Sequence, residues 1–103
     1  MSHVRKTPEV RKQAMIEAGL AQAIKGGIAS VTRVSIAQDT GVSVGLVSRY
    51  FGTIDELRSQ VGNVAIWDRH EKLVAECFNK GLIAMPAGPR DFVRAVKREL
   101  AAM

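Results

Sequence analysis

Residues 32–51 read TRVSIAQDTGVSVGLVSRYF, two short helical stretches joined by a turn, and the reading of this segment decides the fold. Two helices that cross steeply need a small residue where their backbones approach, a turn that reverses the chain, and apolar side chains on both inner faces. Ile36 and Ala37 supply the inner face of the first helix, with Ala37 small enough for the crossing. Gly41 suits the left-handed position of the turn. Val42, Val47, Tyr50 and Phe51 close the wedge from the second helix. Ser43 stands where a side-chain oxygen caps that helix, leaving Val44, Gly45, Ser48 and Arg49 on the outward face of its first turns. The segment is therefore expected to be a helix-turn-helix that offers this face to the major groove of DNA.

The flanking sequence supplies the rest of a bundle. Thr7-Pro8-Glu9 is a helix start, with a capping threonine, a proline at the first helical position and an acid near the positive end of the dipole. Ile16, Leu20, Ala23 and Ile24 then recur at helical spacing until Gly26-Gly27, which gives a first helix over about 8–25. The residues before it form a polar arm bearing His3, Arg5 and Lys6. Thr32 caps a second helix over 33–40, a third covers 44–51, and Gly52 breaks it.

Beyond Gly52, Thr53-Ile54-Asp55-Glu56 forms a capping box that opens a long fourth helix over about 54–80. Leu57, Val61 and Val64 mark one apolar stripe on it, and Ile66, Trp67, Leu73, Val74, Cys77 and Phe78 mark a broader one. Either Gly81 or the stretch Met85-Pro86-Ala87-Gly88-Pro89 ends it. A fifth helix over about 91–102 carries Phe92, Val93, Val96 and Leu100 on one face and Arg94, Lys97 and Arg98 on another; it packs back on the fourth helix or across a dimer. The expected fold is thus all-α. A three-helix DNA-binding bundle over 1–57 precedes a helical dimerisation region over 58–103. Because one stripe of the fourth helix is left over after seating it on the bundle, the partner expected is a second copy. Trp67, Leu73, Val74, Phe78, Phe92 and Val96 are the expected dimer interface.

Composition narrows the function classes. A chain of 103 residues holds one domain, or one domain and an oligomerisation element. With 47% hydrophobic and 24% charged residues it is not a disordered sequence. Its net charge is +5, and the excess is uneven: residues 1–51 hold seven Lys or Arg and three Asp or Glu, against eight and seven in residues 52–103. The basic half is the one with the helix-turn-helix, which points to a phosphate backbone. No apolar run approaches the ~20 residues of a membrane span, and the first residues, MSHVRKTPEVRKQ, lack the apolar core of a secretion signal, so a cytoplasmic address without a membrane partner is expected. Cys77, the single cysteine, lies in an apolar helical pattern and reads as core filler, with no metal or cofactor implied. Asp68, His70 and Glu71 point to different sides of a helix, and no nucleophile has an evident partner base, so the chain is not read as an enzyme.

Within the helix-turn-helix, each polar or small residue has a role to test. Arg49 is the candidate for a base contact, since a guanidinium takes both guanine acceptors; a phosphate contact is its equal alternative. Val44 and Leu46 are candidates for thymine methyl groups, Leu46 being equally a core residue. Gly45 lets the helix approach the groove. Ser43 and Thr32 serve as caps and phosphate ligands, and the Tyr50 hydroxyl is within reach of a phosphate. Arg5, Lys6 and Arg33 complete the electrostatic set.

Gly27, Thr32, Ile36-Ala37, Gly41-Val42-Ser43, Gly45, Tyr50-Phe51 and Asp55-Glu56-Leu57 together resemble the N-terminal DNA-binding domain of the TetR family of transcriptional repressors. The resemblance runs through about residue 57 and implies a homodimeric, sequence-specific repressor on a palindromic operator. Three departures accompany it. The family usually has an aromatic residue, often a phosphate ligand, where Ser48 stands, and a lysine where Ile54 stands; Arg49, Arg33 and the N-terminal arm are the expected compensation. Family members also carry a C-terminal inducer-binding domain longer than the residues after Leu57. A pocket of the roughly 300 Å³ that drug-sized ligands need is hard to enclose in that length, so no small-molecule ligand is expected. The competing reading is a protein-interaction module that keeps the helix-turn-helix fold without specific DNA binding.

Overall fold

A computed structural model describes residues 7–103, so Arg5 and Lys6 lie outside the described residues. Six α-helices and one short 3-10 turn follow in order: α1 Pro8–Gly26, the 3-10 turn Ile28–Ser30, α2 Arg33–Thr40, α3 Val44–Phe51, α4 Ile54–Trp67, α5 Glu71–Asn79 and α6 Arg90–Ala101. The described residues contain no strand. The all-α expectation holds.

Local chemistry fixes most of the helix starts. Thr7 accepts from the Val10 N–H at 3.2 Å with Pro8 in the first turn, and Ser43 accepts from Leu46 N–H at 3.1 Å. Thr53 and Glu56 form the expected capping box. Thr32 forms a second box, with Ser35 in the place usually held by Glu or Gln: the Thr32 hydroxyl accepts from Ser35 N–H at 3.0 Å, and Ser35 Oγ accepts from Thr32 N–H at 2.9 Å. Each such cap stabilises its helix by about 1 kcal/mol.

The core is one cluster that runs from Met15, Ile16 and Leu20 of α1 through Ile36, Val47 and Phe51 of the helix-turn-helix, Leu57 and Val61 of α4, and on to Val74 and Val96. Helix α1 packs on α2 and α4, while α4, α5 and α6 pack in succession.

The fourth helix departs from expectation. Instead of one helix over 54–80, the chain breaks at Asp68-Arg69-His70 into α4 and α5. Arg69 adopts φ 58, the left-handed conformation that ends many helices. The Arg69 N–H donates to Ile66 O at 3.1 Å and the His70 N–H to Ala65 O at 3.0 Å, which closes the free carbonyls. An L-residue in this conformation costs about 1–2 kcal/mol, and burial of Leu73, Val74, Ala75 and Cys77 against α4 and α6 offsets it. Of the two expected stops, Gly81 is the one used: it takes φ 74, and Leu82 N–H donates to Cys77 O at 2.9 Å.

The break changes the fate of the apolar stripes. Leu73, Val74, Phe92 and Val96, expected at a dimer interface, are buried inside this one chain where α5 and α6 meet. They already have partners. Phe78 is half-buried, and Trp67, at the end of α4, is 86% exposed. Cys77 is buried, and that burial, aided by the nearby Glu76 carboxylate, pushes its thiol up to about 11. It stays protonated in the folded chain at neutral pH, as core filler should.

Candidate nucleic-acid interface

The helix-turn-helix geometry follows from three residues between α2 and α3. Gly41, at φ 71 and ψ 24, ends α2 in the left-handed conformation, and both Gly41 and Val42 donate to Ala37 O, at 2.9 and 3.2 Å. Val42 folds back on the core and Ser43 opens α3. Val47 and Phe51 of α3 are buried, and Leu46 and Tyr50 are half-buried against the same cluster. The Tyr50 ring sits 6.5 Å from that of Phe51, tilted by 48°. Leu46 and Tyr50 therefore serve the fold first, with one edge left to an external partner.

The outward face of α3 comprises Val44, Gly45, Ser48 and Arg49. Val44 is 41% exposed, Gly45 and Arg49 are exposed and Ser48 is half-buried. Neither Ser48 nor Arg49 forms a side-chain hydrogen bond or salt bridge with any described residue; Arg49 lies in the last turn of α3, which carries no acid in its first turn. Gly45 is informative for a different reason. A Cβ built there would meet only Ser43 Oγ, at 4.0 Å, and the residue lies within regular helix. Glycine inside a helix costs about 1 kcal/mol relative to alanine. No contact among the described residues requires it.

Thr32 and Arg33, at the start of α2, are engaged internally. Thr32 is held in its capping box. The Arg33 guanidinium donates to Gly52 O at 3.1 Å, tying the start of α2 to the end of α3, while its buried Nε has no partner among the described residues. Ile54, where a lysine was expected by resemblance, is half-buried against the core. At the start of α1, Lys12 Nζ lies 5.7 Å from the centroid of the buried Phe51 ring, so a cation from α1 stands beside the end of α3. Three polar residues without an expected role prove to hold α1 to α2. Gln22 Nε2 donates to Asp39 Oδ2 at 2.7 Å and to Ser35 O at 3.1 Å, and Gln22 Oε1 accepts from Ser35 Oγ at 2.6 Å. Their separation of up to 17 residues leaves no local signal in the sequence.

The chain is 32% identical over 87 residues to the HTH-type transcriptional regulator BetI 1 of Chromohalobacter salexigens, a match covering 84% of this chain and 41% of that protein. It is also 32% identical over 88 residues to the BetI regulators of Paraburkholderia phytofirmans and Paraburkholderia xenovorans, covering 85% of this chain and 43% of each. The helix-turn-helix unit is TetR-like. The chain spans about two-fifths of the length of the curated relatives it matches. No family model and no solved structure matches it. No described helix is long and apolar enough to cross a membrane, and the described residues hold no cluster of metal-ligating side chains.

An open groove of about 900 Å³ runs between the end of α1 and the α5–α6 pair, lined by Ile24, Gly27, His70, Leu73, Glu76 and Glu99 among others. The groove is open to solvent rather than an enclosed pocket.

Proposed function

We propose that the chain is a DNA-binding transcriptional regulator that reads its operator through α3, acting as a homodimeric repressor on an inverted repeat. The observation that carries this reading is the outward face of α3. Ser48 and Arg49 have no bond within the described residues, and Gly45 sits there at a cost to the helix that the fold does not require. A glycine is useful at such a place when another backbone must approach closely, as a phosphate strand does beside a helix in the major groove. The similarity to HTH-type transcriptional regulators supports the same reading.

Arg49 is the base-reading or phosphate-binding cation, and Ser43, Ser48 and Tyr50 supply shorter contacts around it. The first-turn amides of α3 point the same way as the positive end of its dipole, which favours phosphate near Ser43. One eight-residue helix covers only a half-site, so a two-fold dimer is the economical reader of an operator. With Leu73, Val74, Phe92 and Val96 enclosed, the exposed Trp67 and the half-buried Phe78 are what remains of the expected interface to anchor a second copy.

Selection from a pool of random duplexes at physiological salt tests the proposal. A palindromic motif is expected, with binding reduced about tenfold to a hundredfold in Arg49→Ala, the worth of one bidentate base contact. Recovery of no motif, with weak binding that vanishes as salt rises, rejects specific reading and favours the protein-interaction module.

A further inference from the structure

The turn between α1 and the helix-turn-helix is held from two sides by side chains of the C-terminal half. The Ile28 N–H donates to Glu76 Oε1 of α5 at 2.8 Å, across 48 residues. From α4, Arg58 donates through Nε to Val31 O at 3.0 Å and through Nη2 to Ala29 O at 3.1 Å. The free amide of the turn thus meets an acid and its free carbonyls meet a base. Charge-assisted bonds of this kind are about twice as strong as neutral ones. Lys80 Nζ lies 3.5 Å from Glu76 Oε2, so the carboxylate is shared between a backbone amide and an ammonium group one helical turn along α5.

Gly27 lies close against Glu76. It adopts φ 86 and ψ 165, and a Cβ there would lie 3.3 Å from Glu76 Oε2. Together with Gly26 it leaves the chain a permissive joint just before the held turn. Helix α5 meets the N-terminal half at this turn rather than along the length of α2 or α3. The Glu76–Ile28 bond is therefore a direct side-chain tie between α5 and the N-terminal half, beside the core through which α4 packs on both α1 and α5.

We propose that Glu76 is a positioning residue that couples α5 to the helix-turn-helix, so that a displacement of α5 is transmitted through Ile28 to α2 and α3. Its consequence for operator binding rests on the DNA-reading function proposed above; the coupling itself does not. The groove beside Gly27, Leu73 and Glu76 places this bond where a molecule packing on α5 would reach it.

Two exposed positions, Gln38 on α2 and Asn79 on α5, accept spin labels after substitution by cysteine, with the buried Cys77 left in place. Pulsed electron paramagnetic resonance on the full chain is expected to give one narrow distance in the otherwise unaltered protein and in Glu76→Gln, which keeps an acceptor oxygen. Glu76→Ala is expected to lose that single distance while keeping its helical circular dichroism, and to bind the selected operator about tenfold more weakly. Should Glu76→Ala lose its helices, Glu76→Asp, one methylene too short to reach Ile28, decides in its place. An unchanged narrow distance in the variant overturns the proposal. So does a broadened distance with undiminished operator affinity. If the distances behave as expected but the unaltered protein selects no DNA motif, the coupling stands and the DNA-reading function is the one that fails.

Discussion

Helices α2 and α3 are both eight residues long and lie against the same core, yet their polar side chains are used differently. On α2, Ser35 and Asp39 bond to Gln22, Arg33 bonds to Gly52 O, and Thr40 Oγ1 donates to Ile36 O at 2.7 Å. On α3, Ser43 caps the helix, while Ser48 and Arg49 have no hydrogen-bond partner among the described residues. A polar side chain with an internal partner is accounted for by folding. One without a partner, on a helix whose opposite face is fully engaged, is available to something outside. Apart from the exposed Gln38 of α2, the contrast separates a supporting helix from a presenting one without reference to any relative.

The largest effect that tests this contrast is on the supporting side. Gln22→Ala removes three bonds at once and leaves the half-buried Ser35 without its α1 partner. Each lost bond is worth about 0.5–1.5 kcal/mol, so chemical denaturation is expected to show a loss of about 2 kcal/mol or more. A loss within experimental error would show that α2 is held by its apolar face alone. Gly45→Ala should act in opposite directions on two measurements. Thermal unfolding is expected to report a gain of up to about 1 kcal/mol, and fluorescence-detected titration a clear loss of operator affinity. Equal or better DNA binding by this variant would remove the main support for a groove-facing α3. The smallest effect belongs to Ser48→Ala. Stability should stay within about 0.5 kcal/mol, and affinity should fall by a factor of about three to ten, one hydrogen bond's worth. If instead the fold weakens, Ser48 belongs with the supporting residues.

Legibility in the sequence followed the distance over which each signal acts. Thr7, Thr32, Ser43 and Thr53 cap their helices as read, because a cap involves residues three apart. The box at Thr32 was only half legible, since its second member is a serine. The break at Arg69 was not legible at all. An arginine carries no left-handed preference, and only packing of α5 on α4 selects it. The apolar stripe through Leu73 and Val74 was read correctly as buried and assigned to the wrong partner: periodicity shows that a face is covered, not which chain covers it. The outward face of α3 was legible because it is local. The internal roles of Arg33, Arg58 and Glu76 depend on acceptors and donors 19 to 48 residues away.

The exposed Trp67 has a practical consequence. It is the chain's only tryptophan, and at 86% exposure its indole emits from an almost fully aqueous environment. Its emission maximum is therefore a built-in gauge of assembly: a second copy, or any other partner, that seats on the end of α4 will shift the spectrum to the blue and shield it from quenchers. A partner that binds elsewhere will leave it unchanged.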